Sequence, residues 1–157
     1  MATGDELRQA MRRFPAPVAV VTVAAGDLDY ALTVGSLTSL SLEPPLVGIS
    51  IGHASTAHTP LRGAGRFVAS LLAGDQAALA QHFARSVPPI ALWEGIVLRE
   101  SPLAEPLLDG AVAWLECRIA SDHEAGDHTI FVGEVLSVEL GRGGLGLVYV
   151  DGDYKPA

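Results

Sequence analysis

From Val18 onward the chain is a succession of short β-rich segments broken by Gly, Pro and Asp, and that rhythm restricts the fold more than any other feature. Val18–Ala24, Leu46–Ile51 and Arg66–Leu72 are runs of strand length rich in branched residues. Val112–Ser121, Thr129–Leu140 and Leu145–Val150 continue the series. Gly26-Asp27, Asp122–His128 and Gly141–Gly144 read as turns between neighbours. Two helical periods interrupt the pattern. Thr3-Gly-Asp-Glu6 has the spacing of a capping box, with Leu7, Met11 and Phe14 on one face of the helix it opens and Pro15 closing it. Asp75 suits the N-cap of a second helix over Gln76–Arg85, with Leu79 and Phe83 on one face, and Pro60–Gly65 reads as one short helical turn. Seven or eight strands with two substantial helices imply one mainly β domain over residues 1–157, folded as a closed antiparallel barrel. Between Ser86 and Asp109 no period is visible, and this excursion is expected to cover a pocket or an interface.

Composition narrows the partners. Hydrophobic residues make up 49% and charged residues 18%, which is a globular balance. Apolar runs fall far short of a bilayer span, so no membrane insertion is expected. The N-terminus lacks an export signal and the single Cys117 has no partner for an internal disulfide, so a cytoplasmic address is expected. Net charge is −8, and the chain has one lysine and nine arginines without a basic run. A nucleic-acid backbone would meet a repulsive field, whereas a small anion needs only a local gathering of arginines and amides.

The segment Tyr30–Pro45 concentrates neutral polar chemistry. Thr33, Ser36, Thr38, Ser39 and Ser41 alternate with Leu32, Val34, Leu37, Leu40 and Leu42, the period breaks near Gly35, and Pro44-Pro45 ends the run. A strand–bend–strand of this kind presents donors and acceptors beside apolar walls. It suits a ligand that is flat at one end and a polyol phosphate at the other. The same hydroxyls also serve strand propensity and cross-strand pairing.

Other chemical signals are weaker. Gly141-Arg-Gly-Gly-Leu-Gly146 fits G-x-G-x-x-G, but only a strand and a tail follow, so it reads as a hairpin turn and not as a dinucleotide loop. Asp122, His123, Glu124, Asp127 and His128 cluster without metal-ligand spacing, so no metal is expected. His123 reads as a solvated turn residue, whereas His128 opens a strong strand where a side chain can be held in a site. No G-x-S-x-G accompanies a nucleophile, Cys117 sits at a core-facing position, and Trp93 and Trp114 read as packing residues. A barrel without acid–base machinery suits a reaction whose chemistry a bound cofactor carries.

Several segments together resemble the flavin reductase-like domain family. They are Val18–Thr22, Thr33–Pro45, Gly65-Arg-Phe67 and His82-Phe-Ala84, followed by Pro106–Cys117, Gly126-Asp-His128 and Phe131-Val-Gly-Glu-Val135. The likeness runs from about Leu7 to Tyr154. It implies an antiparallel split β-barrel of FMN-binding type and a usual homodimer. It also implies that hydride from NADH or NADPH reduces FMN or FAD for a partner monooxygenase. By the same resemblance Thr33, Val34, Gly35 and Ser36 contact the flavin ring and ribityl chain. Ser50 and Ser55 lie near the phosphate, Phe83 packs close to the cofactor, and His128 lies at the nicotinamide side. The chain departs from the family at Ala31, where glycine is common, and over 86–109, which lacks the usual Phe-containing pattern. Those departures keep two alternatives in view, a flavin-binding carrier without reductase activity and a split barrel that has become an interaction domain.

Overall fold

The capping box forms. In a computed structural model that describes residues 1–85 and 87–157, helix α1 (Gly4–Arg12) starts with the Glu6 amide donating to Thr3 Oγ1 at 3.2 Å. The Thr3 amide returns a bond to the Glu6 carboxylate at 2.7 Å. These bonds to Thr3 hold the Glu6 carboxyl below its ordinary range. The helix stands off the barrel, however, and none of its residues is buried. Leu7, Met11 and Phe14 remain 61%, 53% and 65% exposed, so the apolar face has no partner among the described residues.

The body of the fold is a seven-stranded antiparallel sheet in the order β3-β2-β6-β9-β10-β5-β4. Its strands are β2 (Ala19–Ala25), β3 (Leu28–Val34), β4 (Thr38–Leu42), β5 (Pro45–Gly52), β6 (Arg66–Leu71), β9 (Ala113–Ala125) and β10 (His128–Leu140). The ladder has two edges, β3 and β4, so the barrel is split and does not close into the ring that strand count alone suggests. A smaller sheet joins β1 (Ala16–Pro17), β11 (Leu147–Val150) and β12 (Asp153–Pro156), and β7 (Leu98–Arg99) pairs with β8 (Leu107–Leu108). Helices α2 (His58–Ala64), α3 (Ala77–Ala84) and α4 (Pro89–Leu92) complete the described elements. None of the helices among the described residues is long and apolar enough to cross a membrane.

Three boundaries differ from the sequence reading for physical reasons. The strands of the β9–β10 hairpin run through the charged stretch to Ala125 and resume at His128, because Gly126-Asp127 makes the turn and exposed strand positions tolerate charge. The tail forms β12 because Asp151 and Gly152, at φ 52° and 81°, make the doubly left-handed turn that hairpins favour. Asp75 pairs with Arg142 and leaves Gln76 as N-cap of α3, where its side chain bridges the Ala73 amide (2.9 Å) and the Asp109 carbonyl (2.8 Å).

Strand β2 explains the near-continuous hydrophobicity of its segment. Val21 and Val23 face the barrel core with Ile49, Ile51, Phe67, Cys117 and Phe131. Val20, with Val18 just before the strand, faces a second core with Leu72, Ala80, Phe83, Leu92 and Leu147. A strand covered on both faces has no solvated side and loses the alternation of a half-buried one. The excursion expected after Arg85 does cover a pocket: α4 and Trp93 fold back onto Phe83, although Ser86, its first residue, lies outside the described residues.

One close approach extends the β9–β10 ladder beyond its last strand pair, Leu140 opposite Ala113. The Gly141 amide donates to the Val112 carbonyl at 2.8 Å, and a Cβ at position 141 would overlap the Ala111 carbonyl oxygen. Backbone cannot yield as a flexible side chain does. Gly141→Ala is therefore expected to cost about 1–3 kcal/mol, read as a lower midpoint in urea unfolding.

Candidate active site

Edge strand β3, the loop after β5 and the end of α3 enclose a cavity of about 270 Å³. It is lined by Tyr30–Thr33, Ala54–Thr56 and Phe83–Arg85, and it is roofed by Val87, Pro89 and Leu92 of the excursion. Side-chain hydrogen bonds hold these pieces together. Thr33 Oγ1 donates to the Ala80 carbonyl at 2.6 Å, tying α3 to β3. Trp93 Nε1 donates to the Asp29 carbonyl at 3.1 Å, tying the roof to the start of β3. Phe83, 2% exposed, packs edge-on against His82 with centroids 4.8 Å apart and lies tilted 5.4 Å from Trp93. Ser55 Oγ accepts from the Ala57 amide at 3.3 Å, which leaves its proton free to donate. The cavity thus has an apolar side at Ala31, Phe83 and Leu92 and a polar one at Thr33, Ser55, Thr56 and Arg85.

Thr33, Ser55 and Phe83, three of the residues singled out in the sequence, share this cavity, and Ala31 places its methyl in the same wall. The others take neighbouring places. Val34 is buried in the barrel core, so its side chain faces away from the cavity. Gly35 packs beside β1, where an added Cβ would lie 3.2 Å from Ala16 Cβ. Ser36 Oγ accepts from the Ser50 amide at 2.9 Å and donates to the Ser50 carbonyl at 3.2 Å, a clasp between the bend and β5 that uses the hydroxyl proton. His128 stands opposite Gly52, with Nδ1 bonded to Asp127 at 2.7 Å, and is outside the cavity lining.

Arg85 was not singled out by the sequence, where it reads as the last residue of a helix. Its guanidinium lies 3.4 Å from His82 Nδ1, is exposed, and among the described residues has no carboxylate partner. His82 Nε2 donates to the Leu92 carbonyl at 2.7 Å, so Nδ1 carries the lone pair that receives Arg85. Among the described residues no carboxylate lines the cavity, which makes it a locally cationic recess in a chain of net charge −8.

The remaining polar clusters are held by structural bonds. Thr129, fully buried, lies 2.7 Å from His58 Nε2 and donates to Glu124 at 3.2 Å. Arg62 holds Glu124 at 2.8 Å and, with Thr129 and His53, keeps that carboxyl below its ordinary range. Strand alternation splits the acidic cluster: Arg62 takes Asp122 and Glu124, while His123 bonds Ser121 at 3.2 Å. Trp114 packs with Val68, Leu107 and Ala111 and donates to the Leu108 carbonyl at 2.9 Å. Cys117 is fully buried, and burial, then the charge of Glu116, pushes its thiol up to about 12.

The likeness noted in the sequence is general. The chain belongs to the flavin reductase like domain family, which it matches over residues 11–157. It is 39% identical over 152 residues to the reductase component of 4-hydroxyphenylacetate 3-monooxygenase from Thermus thermophilus, covering 96% of this chain and 95% of that protein. To the NADH-dependent FAD reductase of Streptomyces globisporus it is 40% identical over 154 residues, covering 96% and 84%. The fold superposes on BorF, the flavin reductase component of a bacterial two-component tryptophan halogenase, with a TM-score of 0.88 at 35% identity over 98% of both chains.

Two measurements check this geometry. Thr33→Val is expected to lose about 1 kcal/mol in denaturant unfolding, since it removes the tie to Ala80. With its thiol protonated until about 12, Cys117 is expected to resist alkylation in the native protein at neutral pH and to react once the chain is unfolded.

Proposed function

We propose that this chain is an NAD(P)H-dependent flavin reductase that works as a homodimer in the cytoplasm and supplies reduced flavin to a partner monooxygenase. The observation that carries this reading is the recess between β3, the Ser55 loop and Arg85. It combines apolar walls, neutral hydroxyls and one unpaired cation, with no carboxylate among its lining residues. Its volume of about 270 Å³ accommodates much of a tricyclic ring, and its open side leaves the rest of the ligand room to extend.

Each residue then has a definite task. Ala31, Phe83 and Leu92 supply the apolar surface against which a flat ring rests. Thr33, its proton committed to Ala80, offers lone pairs to ligand donors, and Ser55 offers its free proton to a ribityl or phosphate oxygen. Arg85 meets the phosphate charge. Val34 and Gly35 contribute backbone, and the Ser36–Ser50 clasp holds that backbone in place. His128, its ring fixed by Asp127, stands one loop away from the recess, where a nicotinamide would enter. The bound flavin supplies the redox chemistry by taking a hydride equivalent from the nicotinamide. The protein's part is binding, orientation and exclusion of water, so none of these residues acts as acid or base. Exposed Leu42, Val138 and Leu140, at 88%, 58% and 80%, support burial of a barrel face against a second copy.

Purified protein mixed with FMN or FAD is expected to consume NADH, followed by its near-ultraviolet absorbance. Flavin binding without consumption of NADH or NADPH selects the carrier reading, and failure to bind either flavin selects an interaction domain. Arg85→Gln is expected to weaken flavin binding by roughly tenfold, measured by calorimetric titration.

A further inference from the structure

The loop that carries Ser55 is held from its two ends. Gly52 closes β5, His58 opens α2, and Ala54, Ser55 and Thr56 between them line the recess. The Ser55 amide donates to the Gly52 carbonyl at 3.0 Å and the His58 amide to the Ser55 carbonyl at 3.1 Å, so the loop is two consecutive turns. At one end the His53 amide donates to the Asp127 carbonyl at 2.9 Å. The His53 ring places Nε2 2.8 Å from Glu124 Oε2 and 3.2 Å from Thr129 Oγ1. At the other end His58, 8% exposed, places Nε2 2.7 Å from the same Thr129 hydroxyl. Its ring is packed edge-on between His53 and Phe131, with centroids 5.3 Å and 5.6 Å away. Both flanks of the Ser55 loop therefore meet at the hydroxyl of one fully buried residue.

The protons around that hydroxyl run in one direction. Arg62 grips Glu124 at 2.8 Å and, with Thr129 and His53 adding to the effect, holds its carboxyl below the ordinary range. Glu124 is thus ionised at neutral pH and only accepts. Thr129 gives its single proton to Glu124 Oε1 at 3.2 Å, and its two lone pairs face the Nε2 protons of His58 and His53. His53 shares its proton with Glu124 Oε2. Three partners use the whole bonding capacity of the hydroxyl. Its mounting is equally firm, because Thr129 pairs with Ile51 of β5 on one side and Glu124 of β9 on the other, and a β-branched side chain has few rotamers.

We propose that Thr129 is a positioning residue for the ligand's phosphate: through His53 and His58 its hydroxyl fixes the Ser55 loop and so sets where the Ser55 proton is presented. The inference rests on the flavin reading of the recess. Ser55 Oγ accepts from the Ala57 amide and keeps its proton free, so the direction of that proton follows the lie of the two turns. A valine at position 129 fills nearly the same volume and leaves the His58 Nε2 proton buried without its acceptor. That favours rotation of the ring and of the turn that His58 closes on Ser55.

Calorimetric titration with FMN and with riboflavin, which lacks the phosphate, separates positioning from general loosening. The wild-type protein is expected to bind FMN more tightly than riboflavin. Thr129→Val is expected to lower FMN affinity roughly tenfold and to leave riboflavin affinity unchanged. Thr129→Ser, which returns the hydroxyl, is expected to restore the FMN-to-riboflavin ratio. Glu124→Gln, a change at an exposed position, is expected to lower the same ratio, since the Thr129 proton loses its charged acceptor; it carries the test if Thr129→Val does not fold. A ratio that survives the substitutions, or equal losses of FMN and riboflavin, would overturn the positioning role while leaving the reductase reading intact. Equal wild-type affinities for FMN and riboflavin would overturn the phosphate task of Ser55 and the proposal with it. Binding of neither would overturn the flavin reading of the recess itself.

Discussion

Strand β2 is the element that two hydrophobic cores share, and the rest of the molecule is arranged by that double burial. One face of the strand closes the barrel interior with Phe67 and Phe131, and the other supports α3 and α4 through Val20. Both faces give up apolar surface to protein, so the strand cannot shift register without exposing one set of valines. Edge strand β3, paired to β2 from Ala19–Val34 to Ala25–Leu28, inherits this fixed position. The cavity wall at Ala31–Thr33 is thereby set by packing and not by the ligand.

Helix α3 reaches that wall through the Thr33–Ala80 bond and through Phe83, which belongs to the second core and to the cavity lining at once. A residue with both duties couples stability to ligand geometry. The excursion behaves in the same way: Leu92 is core, Trp93 bonds β3, and the intervening prolines limit how the roof can move. Recognition then depends on few groups. In the proposed reading, a neutral rim and a guanidinium without a carboxylate partner among the described residues would draw an anionic ligand into a protein whose overall field opposes it.

Much of this was legible in the residues. The strand segments, the capping box, the buried thiol and the strand–bend–strand at Thr33–Ser36 are local patterns, and local patterns survive folding. Arg85 was not legible, because its proposed role comes from having no carboxylate partner among the described residues, which depends on where all the other charges go. The Ser36–Ser50 clasp was hidden for a similar reason: a hydroxyl between leucines looks the same whether it meets a ligand or a backbone amide across the bend. The β12 strand did carry a signal in Asp151-Gly152, but the polar residues around it mask an edge strand that needs little burial. Helix α1 shows the converse, since its amphipathic period is plain and yet none of the described residues covers it.

The contact at Gly141 has a mechanical side. It lies just past the end of the long β10 strand, and the backbone there is wedged beneath the Ala111 carbonyl at the base of β9. A hydrogen atom where other residues carry a methyl lets the longest hairpin of the sheet stay paired down to its base.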